Sequence, residues 1–490
     1  MAVNLIIFPY NEYSQFSLRP SQEEPAPNQT NPNLMDTSVL GDSVMCITKV
    51  LLAALITLLF TTQVFGAAAH LAINVTNYGA KGDGVTDDTA AIQKALDLAE
   101  SSGGGIVQLP AGNYLIKTNL NIPPSVTIEG VWRIPHIALK LKSPNPAFDK
   151  TWLSGTVLLA VDGAGQPDGK PFITLNHNST IKGLTIYYPD QVVDGEPVPY
   201  PWTVASAGGD NMSIIDCLFV NPYQAVDFGT RPAGRHLIRN LYGQPLYKGL
   251  FIDKCFDVGR CENIHFWPFW TGHVIGKINK TDEWVLKNGT AFILARSDWE
   301  YMTGCFAISY KIGLHFVSAS NRGPGNYLMT QTGADCSDIA VQVDETQGHS
   351  GISFTNSQIF GRIVVNEKNI GPVKFTGCGL FGSSGKIKAT EMIRIDGRGK
   401  VSFDNCSFYA IDPTPKCDYL INAVGGRLGI SNCTFINSKN TVQNITPIML
   451  GENVISAIIA DNEFYGSKQI VNNAKRPVII KDNLFGTDEK

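Results

Sequence analysis

The sequence predicts an all-β fold in which one chain winds into a parallel β-helix, closed at its N-terminal end by one α-helix. A short strand motif recurs through the C-terminal half at steps of 21 to 29 residues, with no helical pattern between its copies. Repeats of this size, built from short strands and turns, are typical of β-solenoids. One amphipathic helix, at about residues 88–101, precedes the repeats.

Composition and charge are those of a large folded protein. The 490 residues are 43% hydrophobic and 17% charged, which excludes a disordered or coiled-coil chain. Thirty-nine basic and 43 acidic residues give a net charge of −4, so the chain lacks the basic excess of a nucleic-acid-binding domain. We therefore expect no nucleic-acid partner.

Residues 50–69 form the only long apolar run of the sequence. Read from Met45, the chain has a short basic start, an apolar stretch and small residues at a cleavage position, which is the pattern of a signal peptide. We predict a disordered leader or untranslated extension at 1–44, a signal peptide at 45–69 and a secreted β-helix domain at 70–490. Because about 20 apolar residues can span a bilayer, retention of 50–69 as a membrane anchor is the alternative.

The helix at about 88–101 has the features of a cap. Asp87, Asp88 or Thr89 can close its first turn, and the glycines that begin at Gly103 end it. Its apolar stripe must lie against another apolar surface. The stripe consists of Ala91, Ile92, Ala95, Leu96 and Ala99.

The strand motif predicts ladders of identical side chains. Each copy alternates apolar residues, then has Asp, Asn or Gly, a small or polar residue, and an aromatic residue two positions later. Since equivalent positions stack about 4.8 Å apart, cysteines, asparagines and phenylalanines should lie above one another. The regular leucine spacing of a leucine-rich repeat is absent. The aligned small or polar positions are Ser357, Cys378, Cys406, Cys433, Asn462 and Asn483.

The cysteines and histidines give no metal-binding pattern. The sequence has no Cys-x-x-Cys pair and no histidine spacing of the zinc-binding kind, so no metal site is predicted. Cys255 and Cys261 are close enough in sequence to pair. Cysteines within strand motifs are expected to be buried thiols instead; they are Cys217, Cys378, Cys406 and Cys433.

Residues 74–116 resemble a known family. The segments YGAKGDGVTDDTAAIQKAL, GGGIVQLPAG and NYLI are similar to the start of the rhamnogalacturonase/epimerase-like pectate lyase domain, a glycoside hydrolase family 28-related group of the pectin-lyase-like superfamily. The resemblance implies a right-handed parallel β-helix across most of 70–490, with the helix as its N-terminal cap. It also implies enzymes that act on acidic polysaccharides, by hydrolysis or by elimination.

The catalytic signatures of polygalacturonase-like hydrolases are missing. The Asn-Thr-Asp and Arg-Ile-Lys motifs are absent, and the only Asp-Asp pair is Asp87-Asp88, before the helix. His273 and His349 each follow a glycine but lack the second one of the Gly-His-Gly motif. No catalytic residue is therefore carried over from that family.

The middle region, where motifs are more widely spaced, is predicted to carry function on protruding loops. Glycoside hydrolysis needs two carboxyl groups, about 5–5.5 Å apart in retaining and 6.5–9.5 Å apart in inverting enzymes. Asp298 and Glu300 have the i, i+2 relation that puts two strand side chains on one face, with Arg296 beside them. Asp253 and Asp257 form the second candidate pair. We expect that Asp298→Asn and Glu300→Gln each abolish cleavage without changing thermal unfolding.

Aromatic and basic residues near these acids are the candidate substrate-binding groups. Sugars stack on aromatic rings, and arginine pairs with uronate carboxylates through two hydrogen bonds. The candidates are Arg260, Arg296, Arg231, His265, Trp267, Trp270, Trp299, Tyr301 and Trp202.

Three functions stay open at this point. A glycoside hydrolase without a cofactor is the first. A polysaccharide lyase is the second, with Arg260 or Arg296 as base and possible Ca²⁺ on nearby aspartates. A non-catalytic glycan-binding β-helix is the third. The predicted partner is a polysaccharide, and the chain is expected to be a monomer or a homotrimer.

Overall fold

Successive strands of the chain pair in parallel and build three walls of a solenoid, as the computed structural model shows. The structure describes residues 72–131, 154–275, 279–382, 390–409, 417–436, 445–465 and 469–486. The predicted leader and signal peptide lie outside these residues. Within each coil the chain passes through walls A, B and C in turn, which confirms the predicted parallel β-helix.

Wall A begins beside the helical cap and runs the length of the solenoid. Its strands are Ile73–Asn74, Gly105–Gln108, Val126–Glu129, Thr180–Lys182, Ser213–Phe219, Leu237–Gly243, Cys255–Phe266, Ser297–Thr303, Tyr327–Thr330, Ile352–Thr355, Val373–Thr376, Lys400–Asp404 and Val478–Lys481. The strands at 213–219, 237–243 and 255–266 continue round a bend into wall B.

Wall B follows wall A in each coil, after the bend. Its strands are Asp83–Asp87, Gly112–Ile116, Thr156–Ala160, Thr185–Tyr187, Phe306–Ile308, Gly333–Asp335, Gln358–Phe360, Gly379–Phe381, Ser407–Tyr409, Thr434–Ile436, Glu463–Tyr465 and Leu484–Gly486.

Wall C completes each coil. Its strands are Leu120–Ile122, Ile173–Leu175, Trp202–Ser206, Gln224–Phe228, Lys248–Ile252, Thr290–Leu294, Ile312–Phe316, Ile339–Val343, Arg362–Val365, Glu391–Ile395, Tyr419–Ser431, Thr446–Ala460 and Val471–Asn472. The strands at 419–431 and 446–460 continue into wall A.

The bend between walls A and B explains the Asp, Asn or Gly of the repeated motif. Asn356, Gly377, Asn405, Asn432 and Asp461 each occupy this bend with a φ between +49° and +61°. Left-handed backbone is least costly for glycine and, among other residues, for asparagine and aspartate.

The predicted ladders are confirmed in wall B. Its pairing aligns the residues that follow each bend, so that Cys406 N–H donates to Sγ of Cys433 and Cys433 N–H donates to Oδ1 of Asn462. The rings of Phe408, Phe435 and Phe464 stack above one another with centroids 4.3 and 4.5 Å apart.

The cap is the helix α1, Thr89–Ser101, within one residue of the prediction. Ile92, Ala95, Leu96 and Ala99 are fully buried against the first coil, as predicted for a solenoid end. Its N-terminal contacts come from Asp87, whose Oδ1 accepts hydrogen bonds from both N–H and Oγ1–H of Thr89.

Two further helices, α2 (Phe269–Ile275) and α3 (Lys280–Asn288), interrupt the path from wall B to wall C in one middle coil. Asn279 caps α3 by accepting a hydrogen bond from Asp282 N–H. None of the described helices is long and apolar enough to cross a membrane.

Candidate functional site

In each coil a turn joins the end of wall C to the start of wall A, and we call this turn the C–A corner. In the middle coils the corner opens into a cleft of about 450 Å³, here called the Trp299 cleft. Its lining residues are Phe256, Asp257, Val258, Arg296, Asp298, Trp299, Asn326, Gln347, His349 and Ser350. Four of the predicted site residues, Asp257, Arg296, Asp298 and Trp299, therefore meet in one place.

The walls of the Trp299 cleft carry paired charges. The carboxylate of Asp298 forms an ion pair with the guanidinium of Arg296. The carboxylate of Asp257 lies 3.7 Å from Nε of Arg235 and accepts a hydrogen bond from Val258 N–H. The indole of Trp299 is 52% exposed and is open to an apolar sugar face.

The floor of the cleft is made of buried amides that the sequence analysis did not identify. Asn326 is 2% exposed, and its Oδ1 has no hydrogen-bond partner within the described part of the chain. Nε of Arg296 is likewise buried without a partner. Buried polar atoms are nearly always paired, so these atoms indicate a ligand or ordered water in the cleft.

His349 lies at the exposed rim of the cleft. Its Nδ1 is 2.6 Å from Oγ of Ser350, whereas its Nε2 contacts no polar group among the described residues. In the sequence, His349 stands out only as part of an incomplete Gly-His-Gly motif. The repeat register contains the missing signal, because Ile352–Thr355 pairs with Tyr327–Thr330 and so places residues 344–351 at the same corner as Arg296.

The prediction that Asp298 and Glu300 share a face is wrong. Opposite Asp298, the neighbouring strand has an irregularity between Cys255 and Val258, which pair with Ser297 and Trp299. This bulge interrupts the alternation of sides, so Ser297 and Glu300 both point inward while Asp298 and Trp299 point outward. Glu300 therefore lies inside the coil.

Glu300 is fully buried and bound to His236, which lies just before the strand Leu237–Gly243 two coils earlier. Oε1 of Glu300 is 3.0 Å from Nε2 of His236, and Oε2 accepts a hydrogen bond from Oγ of Ser297 at 2.9 Å. Nδ1 of His236 lies 2.7 Å from the carbonyl oxygen of Ala233. Burial lowers the pKa of His236, but the negative charge of Glu300 and the neighbouring thiols raise this pKa well above its usual value. Glu300→Gln should thus lower stability, contrary to the expectation from the sequence.

Asp253 stabilises the corner rather than facing the cleft. It is 1% exposed, and its Oδ1 accepts hydrogen bonds from the backbone N–H groups of Lys254 and Arg296. Oγ of Ser320 donates to the same oxygen. Asp257 lines the Trp299 cleft whereas the buried Asp253 does not, which contradicts their prediction as a pair.

Several predicted substrate-binding residues are buried or lie elsewhere. Trp267 and Trp270 are each 2% exposed within the core and cannot stack on a sugar. His265 packs between Trp267 and Phe306, and burial lowers its pKa. The apolar stretch that follows His265 forms the turn into α2, which explains why these rings are inside.

The remaining candidates are at least partly exposed but line other surfaces. Arg260 and Tyr301 pair across wall A on its outer side. Trp202 stacks near Phe251 in wall C, and Arg231 is an exposed corner residue. Cys255 and Cys261 form no disulfide, while the thiols predicted to be buried are buried.

A second, larger cavity of about 1250 Å³ follows the same corner through the next coils. We call it the charged groove, and it spans the corner segments from Val317 to Arg476. Lys368, Arg398 and Arg476 line it without an acidic partner among the described residues. Acidic residues also line this groove, so its surface is densely charged with both signs.

The three parallel walls and their capped end define the chain as a parallel β-helix protein. The family described as rhamnogalacturonase A/epimerase, pectate lyase-like matches residues 72–207, which confirms the resemblance predicted for the N-terminal part of the chain.

Relatives match either a short segment or most of the chain. Mannuronan C5-epimerase AlgE1 of Azotobacter vinelandii is 63% identical over 43 residues, which are 9% of this chain and 3% of that protein. Plasmin and fibronectin-binding protein A of Streptococcus pneumoniae is 23% identical over 444 residues, 84% of this chain and 57% of that protein. The chain thus spans little more than half the length of the Streptococcus pneumoniae protein and a small fraction of the length of the epimerase.

A solved structure supports the fold. The pre-mature gene product 12 of bacteriophage phi29 superposes with a TM-score of 0.58 at 14% identity, covering 87% of this chain and 57% of that chain. At this level of identity the likeness shows the parallel β-helix and carries no statement about activity.

Proposed function

We propose that this protein is an extracellular enzyme that modifies an acidic polysaccharide by removing the proton beside a uronate carboxyl group. The observation that carries the proposal is the Trp299 cleft, which combines an exposed indole, a guanidinium and an imidazole with an open Nε2. The family match and the epimerase relative support a polysaccharide substrate. Secretion is part of the proposal.

In this mechanism His349 is the base. Trp299 stacks on one sugar ring, Arg296 lies beside the uronate carboxylate, and Nε2 of His349 takes the C5 proton. The resulting carbanion either expels the substituent at C4, as in a lyase, or regains a proton on the opposite face, as in an epimerase. The amide floor supplies hydrogen-bonding groups that orient the sugar.

The charged groove supports a polymeric substrate. From the corner that carries Val317, the groove continues across six steps from one coil to the next. At about 4.8 Å per step, the groove is roughly 29 Å long. A polyuronate chain that leaves the Trp299 cleft along this corner meets Lys368, Arg398 and Arg476. Calcium binding to aspartates near Arg260 or Arg296, in a lyase, stays a prediction.

Hydrolysis is the second candidate because Asp257 and Asp298 line the same cleft. An inverting or retaining hydrolase needs one of its carboxyl groups protonated in an apolar pocket. Both of these carboxylates instead lie beside arginines, which favours the first proposal.

The test is an assay of the full chain on polygalacturonate, polymannuronate and neutral polysaccharides in heavy water, with and without a calcium chelator. Unsaturated-uronate absorbance indicates a lyase, and deuterium at C5 of the unbroken polymer indicates an epimerase. We expect His349→Ala to lower the rate by about 10²–10⁴-fold. The matched control is His177→Ala, an exposed histidine far from the cleft in sequence, with an unchanged rate.

Three outcomes would contradict the proposal. New reducing ends without absorbance or deuterium would establish hydrolysis and transfer the chemistry to Asp257 and Asp298. Full activity of His349→Ala would remove His349 from the mechanism. If no polymer is altered, the protein is not an enzyme of this class.

A further inference from the structure

Beneath the Trp299 cleft, the buried His236–Glu300 pair lies beside two thiols, and the proposed chemistry uses none of these four groups. Nε2 of His236, Sγ of Cys255 and a carboxylate oxygen of Glu300 all lie within 4.8 Å of one another. Sγ of Cys261 is 3.6 Å from Oε1 of Glu300. All four side chains have no exposed surface.

The separations of these atoms are close to those around a tetrahedral metal ion. Zinc binds nitrogen and oxygen at about 2.0–2.2 Å and sulfur at about 2.3 Å, which places neighbouring ligand atoms about 3.3–3.8 Å apart. The observed 3.0 Å from His236 to Glu300 and 3.6 Å from Cys261 to Glu300 need only small rotations to reach these values.

The far sides of the ligands are already held by hydrogen bonds. Nδ1 of His236 contacts the carbonyl oxygen of Ala233, and Ser297 donates to Oε2 of Glu300. Such outer partners orient metal ligands so that Nε2 and the second carboxylate oxygen point to the ion. Gly259 lets His236 and Glu300 meet across its strand, because a Cβ there would lie 2.2 Å from a Glu300 oxygen and 2.6 Å from Cε1 of His236.

We propose that His236, Cys255 and Glu300 bind a structural Zn²⁺ ion, with Cys261 as the fourth ligand. One nitrogen, one oxygen and two sulfur donors favour zinc over calcium or magnesium, which prefer oxygen alone. The ion joins the bulged strand that carries Asp257 to the strand that carries Asp298. It thus fixes the two edges of the Trp299 cleft from inside the coil, and this role does not depend on which reaction the cleft performs.

The test measures metal directly and needs no activity. The full chain is exposed to a small excess of Zn²⁺, dialysed and analysed for zinc by mass spectrometry; we expect about one ion per chain. With Co²⁺ in place of zinc, we expect the thiolate-to-cobalt charge-transfer absorbance of a cysteine ligand. A strong chelator should lower the unfolding temperature of the zinc-loaded protein.

Variants locate the site. Cys255→Ser should lose the charge-transfer absorbance and most of the bound zinc, and His236→Gln should lose the zinc. Cys217→Ser, at a buried thiol in the strand Ser213–Phe219, is the matched control and should retain both. The proposal is overturned if the wild-type protein retains no zinc, or if Cys255→Ser retains one ion with an unchanged cobalt spectrum. Should His236→Gln fail to fold, the wild-type zinc content and cobalt spectrum still decide.

Discussion

The interior of the middle coils differs from that of the C-terminal coils. Between about residues 236 and 300 the interior contains a histidine, a glutamate and two thiols next to a bulged strand. Between about 375 and 485 it contains stacked phenylalanines and a ladder of cysteine and asparagine in regular register. The fold is the same, but among the residues that the structure describes only the middle coils contain a fully buried pair of this kind.

The C-terminal coils are regular, whereas the middle coils depart from the regular repeat. In the C-terminal coils, equivalent positions of successive coils carry similar side chains. Each coil is therefore buried by, and hydrogen-bonded to, the next coil in the same way. In the middle coils the bulge before Val258 reverses the direction of side chains and separates Asp298 from Glu300. Bulges of this kind commonly re-aim side chains near functional sites.

The largest expected effect comes from removing the charged partner in the middle coils. In the metal-free protein, Glu300→Ala leaves the charge of His236 buried without a counter-charge, and we expect a loss of about 3–5 kcal/mol in the free energy of unfolding. Chemical denaturation followed by circular dichroism measures this loss. The matched control, Asp298→Ala, breaks an ion pair whose carboxylate is 39% exposed and should cost about 1 kcal/mol or less.

Equal losses in the two variants would contradict this account. They would mean that Glu300 and Asp298 have similar surroundings, as the i, i+2 spacing predicted. A double variant, Glu300→Ala with His236→Leu, should recover much of the stability if the unpaired imidazolium causes the loss.

The regular part of the fold was predictable because its signal is local and repeated. Asn and Asp at the bends, followed by Cys or Asn and then Phe, specify the ladder of Cys406 and Cys433 without knowledge of distant contacts. The cap helix was predictable for the same reason, since its stripe and its stop signals lie within one segment.

The site was only partly predictable, because it depends on the register between coils. Asp257, Arg296, Asp298 and Trp299 were found from local clustering of acids, arginine and aromatics. Glu300 was misplaced because a bulge leaves no mark in the hydrophobic pattern. Asn326 and His349 were missed because they meet Trp299 only after the strand pairing is known, and Trp267 was misjudged because aromatic residues serve cores as often as sugars.

The second prediction tests the regular ladder. Asn462 is 2% exposed; it accepts a hydrogen bond from Cys433 N–H and donates to the carbonyl oxygens of Ile430 and Ala460. Asn462→Leu leaves these backbone groups unpaired, so we expect a loss of about 1–3 kcal/mol in the free energy of unfolding. Asn473→Ala on the exposed surface should change this quantity by less than about 0.5 kcal/mol. If Asn462→Leu lowered the free energy of unfolding as little as Asn473→Ala does, packing alone would hold the ladder together.

The third prediction concerns the exposed ring of the middle coils. Removing the indole in Trp299→Ala should weaken polysaccharide binding about tenfold, or about 1.4 kcal/mol, because a sugar loses its stacking surface. Affinity electrophoresis in gels that contain the polymer measures the change. Tyr465→Ala, an aromatic ring 39% exposed in the last coils, is the control and should bind as the wild type does. Equal weakening in both variants would place binding along the whole solenoid.

The smallest effect concerns Asp344, which follows wall C at the start of the charged groove. Burial raises its pKa, but contacts with His315 at 2.7 Å, Gln342 at 3.0 Å and Asn366 outweigh it and lower the pKa to about 2. A folded pKa below the unfolded value of about 3.9 adds stability above about pH 4, which is lost as the pH falls towards about 2.

Because this carboxylate is 33% exposed, solvent screening reduces its contribution to about 1 kcal/mol. Asp344→Asn should therefore be less stable than the wild type near pH 6 and almost equal to it near about pH 2, as urea unfolding at several pH values will show. A constant difference across that range would mean that the contacts of Asp344 are equally strong when it is protonated. Any loss of stability of the charged groove at low pH would then come from carboxylates other than Asp344. Asp344 and the buried His236–Glu300 pair would then differ only in how deeply they are buried.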